Sequence, residues 1–250
     1  MVQVLDSNGT ADPWRRRARP ARRQMPLWQE LPLLLIVAFC LAVLIRTFLL
    51  QAFFIPSSSM EDTLLIGDRV LVNKVVYDMR DPLRGEVVVF RGTDKWVAQE
   101  NPVPPAGAAG KIGRTLGDLV GVSRPGEKDF IKRVIGVGGD HVVCCDAQDR
   151  LTINGKSLDE PYIYSANGQQ DKPADQEFDI TVPAGRLWVM GDHRSASGDS
   201  LEHWQQSGRN IDSATIPEGE VVGRAFTVFW PFDRATWLTV PKSFDGIPNP

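Results

Sequence analysis

The residues with chemical potential in this chain begin at Pro56-Ser57-Ser58-Ser59-Met60. A serine hydroxyl is a weak nucleophile until a neighbouring base takes its proton. The chain holds three histidines, His141, His193 and His203, and a triad of Ser59, His193 and Asp199 can be drawn on paper. A lysine is the alternative base. Burial among apolar groups lowers its pKa and leaves a neutral amine. The segment Phe130–Ile135 reads as a strand, and side chains alternate faces along a strand. Lys132 then shares one face with Phe130 and Val134, while Ile131, Arg133 and Ile135 share the other. On the residues alone, histidine and lysine both remain open as the base. Of the three cysteines, Cys144 and Cys145 are adjacent and form either a vicinal disulfide or a pair of thiols packed in a strand. They cannot staple distant parts of a fold. No spacing of ligands suits a metal, and no metal or organic cofactor is expected.

The serine cluster must be positioned by what surrounds it. Leu31–Leu50 is an apolar run of the ~20 residues that a membrane-spanning helix needs. Arg46 sits near its far end, where a long side chain reaches the interface, and Trp28, Phe53 and Phe54 suit the two interfaces. A cleaved signal peptide has an apolar region of only ~7–15 residues ending in small residues, which this run does not match. Arg15, Arg16, Arg17, Arg19, Arg22 and Arg23 precede the run, and such a block marks the cytoplasmic side. The expectation is a single-pass plasma-membrane protein. Residues 1–30 would be a basic cytoplasmic tail, 31–50 the anchor and 51–250 an extracytoplasmic domain. At ~3.6 Å per residue at most, Ser59 then stays close to the bilayer. The overall charge of -3 carries no nucleic-acid footprint.

Beyond residue 50 the pattern turns to strands. Arg69–Tyr77, Glu86–Phe90, Phe130–Val137, His141–Cys145, Leu151–Ile153, Arg186–Met190 and Ala225–Phe229 all read as β, and Asn154-Gly155 is a hairpin signal. A short helix fits Ser200–Gln206. Thr93–Glu127, rich in Pro, Ala and Gly, and the polar Tyr162–Asp179 read as loops or excursions. The expected fold is mainly β. A transmembrane helix precedes an antiparallel catalytic sheet, with loop-rich insertions at about 93–127 and 145–180.

Four stretches, in order, resemble the conserved boxes of the type I signal peptidases. Pro56–Met60 with Thr63-Leu64-Leu65-Ile66-Gly67-Asp68-Arg69-Val70-Leu71-Val72 is similar to the nucleophile box. Arg84–Phe90 resembles the next. Phe130-Ile131-Lys132-Arg133-Val134-Ile135-Gly136 with Gly139-Asp140 resembles the box of the general-base lysine, and Gly191–Ser200 the last. Phe229-Trp230-Pro231 also fits, so the resemblance spans roughly residues 45–232. It implies that Ser59 is the acylating nucleophile and Lys132 its base. It implies that Ser57 donates to the oxyanion beside the backbone N–H of Ser59, that Ser197 orients the lysine amine, and that Asp199 pairs with Arg133 behind the site. His193 matches a variable position of the last box. The chain departs from the pattern at Ser58, where Gly is common, at Ser195-Ala196 in place of Asp-Asn, and at Leu201 in place of an Arg beside Asp199.

The function implied is a membrane-anchored serine endopeptidase that removes signal peptides from exported preproteins through a Ser/Lys dyad. Its partners would be preprotein signal peptides and the lipid bilayer. The substrate would lie extended against a strand edge. Ile55, Met60 and Ile131 are candidates for the walls of pockets that admit only small side chains. The alternatives are another Ser/Lys protease and a catalytically silent anchored β-domain that binds exported chains.

Overall fold

The computed structural model describes residues 27–44, 49–93, 96, 122–123 and 129–250. Most of the expected basic tail, Arg46 and most of the 93–127 insertion lie outside the described residues. The chain divides into two units, residues 1–42 and 43–250.

A helix runs over Leu27–Leu44, most of it in the first unit. Its described side chains, residues 31–43, are apolar on every face and exposed. The expected span of Leu31–Leu50 is corrected at both ends. Among the described residues the helix covers Leu27–Leu44, so it starts before Leu31, and Leu50 is already the first residue of a strand. Among the described residues no helix is long and apolar enough to cross a membrane.

The second unit is mainly antiparallel β. Its strands are β1 (Leu50–Phe54), β2 (Arg69–Asn73), β3 (Val87–Arg91), β4 (Val122–Ser123), β5 (Asp129–Gly136), β6 (His141–Cys144), β7 (Leu151–Ile153), β8 (Lys156–Ser157), β9 (Ser165–Ala166), β10 (Gln169–Gln170), β11 (Phe178–Thr181), β12 (Arg186–Met190), β13 (Ile216–Pro217), β14 (Val221–Trp230) and β15 (Thr236–Trp237). The large sheet follows the order β13-β12-β5-β3-β14-β2-β1-β4, with β15 added to β14. A second sheet has the order β11-β6-β7-β8, and β9 and β10 form a small hairpin. Among the described pairings only β1 with β4 is parallel.

Both faces of the large sheet are covered at its centre. Val87 and Val89 of β3 enter one apolar cluster, Val88 and Phe90 another. A strand buried on both sides has no reason to alternate polar with apolar, which is why Val87-Val88-Val89-Phe90 is continuous. Strand β5 is buried from Ile131 to Gly136 between β3 and β12, so Lys132 and Arg133 lie inside the protein. The cluster beneath the serine loop contains Phe53, Ile55, Met60, Leu64, Val70, Val72 and Ile131. Full burial of one such aliphatic side chain stabilises by about 1.5–3 kcal/mol, enough for a few of them to hold a short loop.

Several expected boundaries shift. Leu151–Ile153, Arg186–Met190 and the helix Ser200–Gln206 form as read. The expected strand Arg69–Tyr77 stops at Asn73, because the Asn73 side chain accepts the N–H groups of Val75 and Val76 and starts a helical turn at Val76–Met79. The expected loop Tyr162–Asp179 is largely organised. It contains the β9–β10 hairpin, and β11 begins at Phe178, with Phe178 and Ile180 facing inward and Asp179 outward. Cys144 and Cys145 are joined as a vicinal disulfide.

Candidate active site

The serine loop is an excursion between β1 and β2. Ile55 N donates to Asp68 O and Gly67 N to Ile55 O, each at 2.9 Å, so the ladder closes the loop at its base. Within it, Leu64 N donates to Met60 O in a single helical turn, and both side chains are completely buried. The Asp68 carboxylate accepts from Leu65 N and is gripped on both oxygens by Arg234, at 2.9 and 3.0 Å. Ser59 is thereby held at 6% exposure.

The lysine arrives from β5. Lys132 pairs with Val88 across β3, is 4% exposed, and brings Nζ to 2.7 Å from Ser59 Oγ. Ser57 Oγ lies 3.5 Å from the same oxygen. The structure therefore brings together Ser57, Ser59 and Lys132, and the side chain in contact with the Ser59 hydroxyl is the lysine, not a histidine. The paper triad is not assembled. The His193 ring stacks on Tyr164 and approaches Glu61, and both carboxylate oxygens of Asp199 are engaged elsewhere.

The third component is the loop after β12. Gly191 passes so close that a Cβ there would sit 2.4 Å from the Ser59 carbonyl oxygen and 2.3 Å from Ser197 Oγ. No larger residue fits without displacing the Ser59 backbone. His193 N donates to that Ser59 carbonyl at 3.1 Å. Ser197 is thus beside the site, but its buried hydroxyl makes no hydrogen bond, so the expected bond to the lysine amine is absent.

The expected pairing of Asp199 with Arg133 is also corrected. Arg133 is paired with Asp192: Nε donates to Oδ1 at 2.8 Å and Nη2 to Oδ2 at 2.6 Å. Its Nη1 donates to Gly85 O, and Thr63 donates to Asp192 while accepting from Arg133. Burial works against the charge on Arg133, but Asp192 more than offsets it and keeps the guanidinium firmly protonated. Asp199 instead caps the helix Ser200–Gln206 through Leu201 N and holds Gly191 N at 3.0 Å. Its brace acts on the close-approach glycine rather than on the arginine. Asp192, Thr63 and Gly191 were missed as site residues. The signal that could have found Asp192 is that a buried arginine requires a carboxylate, and the last box offers two.

The three wall candidates belong to the cluster under the serine loop. Ile55 and Met60 present almost no surface, while Ile131 retains 9%.

The chain's sequence matches the family model described as signal peptidase, peptidase S26, over residues 28–230. It is 35% identical over 231 residues to a probable signal peptidase I of Mycobacterium leprae, covering 85% of this chain and 79% of that one. It is 36% identical over 227 residues to signal peptidase I of Mycobacterium tuberculosis, covering 86% and 76%. It is 37% identical over 212 residues to a probable signal peptidase I-2 of Synechocystis, covering 85% and 78%. A solved signal peptidase I of Enterococcus faecalis is 24% identical, covering 58% of this chain and 97% of that one, with a TM-score of 0.36. A buried serine–lysine pair on an antiparallel β scaffold, set within matches of this length, leads to one conclusion: the chain belongs to the signal peptidase I family, the S26 serine peptidases, and cleaves signal peptides from secreted preproteins.

Proposed function

We propose that Ser59 is the nucleophile of this cleavage and Lys132 its general base. The observation that carries the reading is the 2.7 Å approach of Lys132 Nζ to Ser59 Oγ, with both residues buried. Burial disfavours the ammonium form and leaves an amine able to accept a proton. Lys132 takes the Ser59 proton as Oγ attacks the carbonyl of the last signal-peptide residue. The oxyanion is met by the Ser57 hydroxyl and the Ser59 N–H, and such donors contribute roughly 3–4 kcal/mol each. The ammonium returns its proton to the departing amine of the mature chain. Water, deprotonated by the same lysine, then hydrolyses the acyl-enzyme.

The substrate lies extended, using main-chain hydrogen bonds along a strand edge. Ile131 is the better wall for a small-residue pocket, with Ile55 and Met60 as its floor. Signal peptides end in a small-x-small pattern, which shallow walls would select.

The enzyme works at the outer face of the plasma membrane, anchored by its N-terminal apolar segment with the basic tail in the cytoplasm. An apolar helix with no polar face supports the anchor. Exposed Phe232 and Trp237, at 76% and 72%, together with Trp230 and Ile66, support contact of the catalytic domain with lipid. Protease added to intact spheroplasts should digest residues 51–250 and spare the tail. Protection of the catalytic domain would reverse the topology.

The mechanism is tested by the pH dependence of cleavage. A lysine base loses activity as pH falls through its pKa, because the amine becomes protonated. A rate that stays flat down to about pH 4 would require another base.

A further inference from the structure

Behind the Ser59–Lys132 pair lies a set of buried charges that the mechanism above does not use. Arg194, in the loop after β12, is buried, as is Glu160 on the segment that follows β8. They form an ion pair through Arg194 Nη2 and Glu160 Oε1, and Nη1 reaches Oε2 at 3.3 Å. The Tyr162 hydroxyl donates to Glu160 Oε1 at 2.7 Å. The Tyr162 ring then lies under Arg133, whose guanidinium carbon is 4.1 Å from the ring centroid, and Phe244 stacks on the ring at 6.1 Å. Arg133, Asp192, Arg194 and Glu160 therefore form two buried cations and two buried anions joined by one aromatic ring.

This lattice reaches the nucleophile by a continuous path. Arg194 Nε donates to Gly191 O at 2.9 Å, and Tyr164 N donates to Asp192 O at 2.9 Å. Gly191 is pressed against the Ser59 carbonyl, which His193 N holds. Arg133, one residue from Lys132, is fixed by Asp192 on one side and carried by Tyr162 on the other. An uncompensated cation inside a protein is strongly unfavourable. Without Glu160, Arg194 would compete with Arg133 for Asp192, whose charge already acts on Arg194.

We propose that Glu160 and Tyr162 are positioning residues for the Ser59–Lys132 pair: Glu160 balances Arg194, Tyr162 carries Arg133, and together they seat the Gly191–His193 loop against Ser59 and keep the field behind Lys132 neutral. The proposal rests on the reading of Lys132 as the base. The charged and titratable groups facing the lattice are Arg133 on β5, Asp192 and Arg194 after β12, Glu160, Tyr162 and Tyr164 after β8, and His193 with Glu61 at the serine loop.

The test is the pH–rate profile of the full chain in detergent on a signal-peptide substrate. It compares wild type, Glu160→Gln, Tyr162→Leu, the double variant Glu160→Gln/Arg194→Met, and Lys132→Ala. Glu160→Gln leaves one excess positive charge behind Lys132, which makes protonating the amine harder. The acid limb should move toward lower pH by about half a unit or more, with kcat down about tenfold and KM within about twofold. Tyr162→Leu changes no charge, so kcat should fall by a similar factor with the limb in place. The double variant removes both charges and should return the limb to its wild-type position, even if Glu160→Gln alone folds poorly. Superimposed limbs for wild type and Glu160→Gln, or a limb still displaced in the double variant, overturn the proposal. Near-wild-type cleavage by Lys132→Ala would instead bring down the assignment of the base, a separate failure.

Discussion

The two loops that meet at Ser59 are held by opposite means. The serine loop, residues 56–66, is anchored mainly by apolar burial: Met60 and Leu64 plug into the cluster with Ile55 and Val70, main-chain bonds close its base, and Thr63 and Leu65 N add polar ties to Asp192 and Asp68. The loop of residues 191–199 is anchored by charge: Asp192 on Arg133, Arg194 on Glu160, and Asp199 on two backbone amides. Apolar anchoring degrades by degrees as methylene groups are removed, because the surroundings partly collapse. Charge anchoring fails abruptly, because a partner left behind is a buried, unpaired ion. Ser59 thus rests on a forgiving support and is aligned by an unforgiving one.

Substitutions on each side sharpen that contrast. The largest expected effect is Asp192→Asn, which strands the Arg133 guanidinium and should destabilise by about 3–5 kcal/mol in denaturant titration. A loss under about 1 kcal/mol would mean that Arg133 finds another partner at little cost. Met60→Ala should cost about 3 kcal/mol, within the range for emptying a buried methionine site. Because the loop can settle, its cleavage rate per folded molecule should fall less than that of Gly191→Ala. In Gly191→Ala the added methyl meets the Ser59 carbonyl directly, and a displacement near 1 Å can cost about 10²-fold. If the two variants rank the other way in single-turnover assays, the contrast between the loops is wrong. The smallest effect is Asp199→Ala. Loss of a helix cap costs about 1 kcal/mol, and the freed Gly191 N–H adds a comparable amount. A thermal melt unchanged from wild type would remove Asp199 from the brace.

Much of this arrangement was legible in the sequence. Alternation along Phe130–Ile135 separated Lys132 from Arg133, and the four ordered boxes pointed to Ser59 and Lys132, which the fold sets 2.7 Å apart. What alternation cannot say is which of two carboxylates on a returning loop reaches a buried arginine. Asp192 and Asp199 are both plausible by spacing, and only the path of the loop, set by the tight passage at Gly191, decides for Asp192. Ser197 misled for a related reason: its position beside the site is right, but its hydroxyl bonds nothing. Strand β11 was hidden because four residues at the end of a polar stretch show too little period to read, although Phe178 and Ile180 face the core. The turn at Val76–Met79 was hidden because β-branched residues there mimic a strand, while the capping role of Asn73 is invisible until the chain folds. Glu160 and Tyr162 lie outside all four boxes, and only the fold brings them under Arg194 and Arg133.

Everything proposed for cleavage turns on whether the amine 2.7 Å from Ser59 Oγ acts as a base. Single-turnover cleavage of a signal-peptide substrate by purified Lys132→Ala, at matched folded concentration, measures it most directly. The rate should fall by at least about 10³-fold, in the range of losing a general base, at every pH where the wild type is active. A Lys132→Ala enzyme that cleaves within a few-fold of wild type would contradict it.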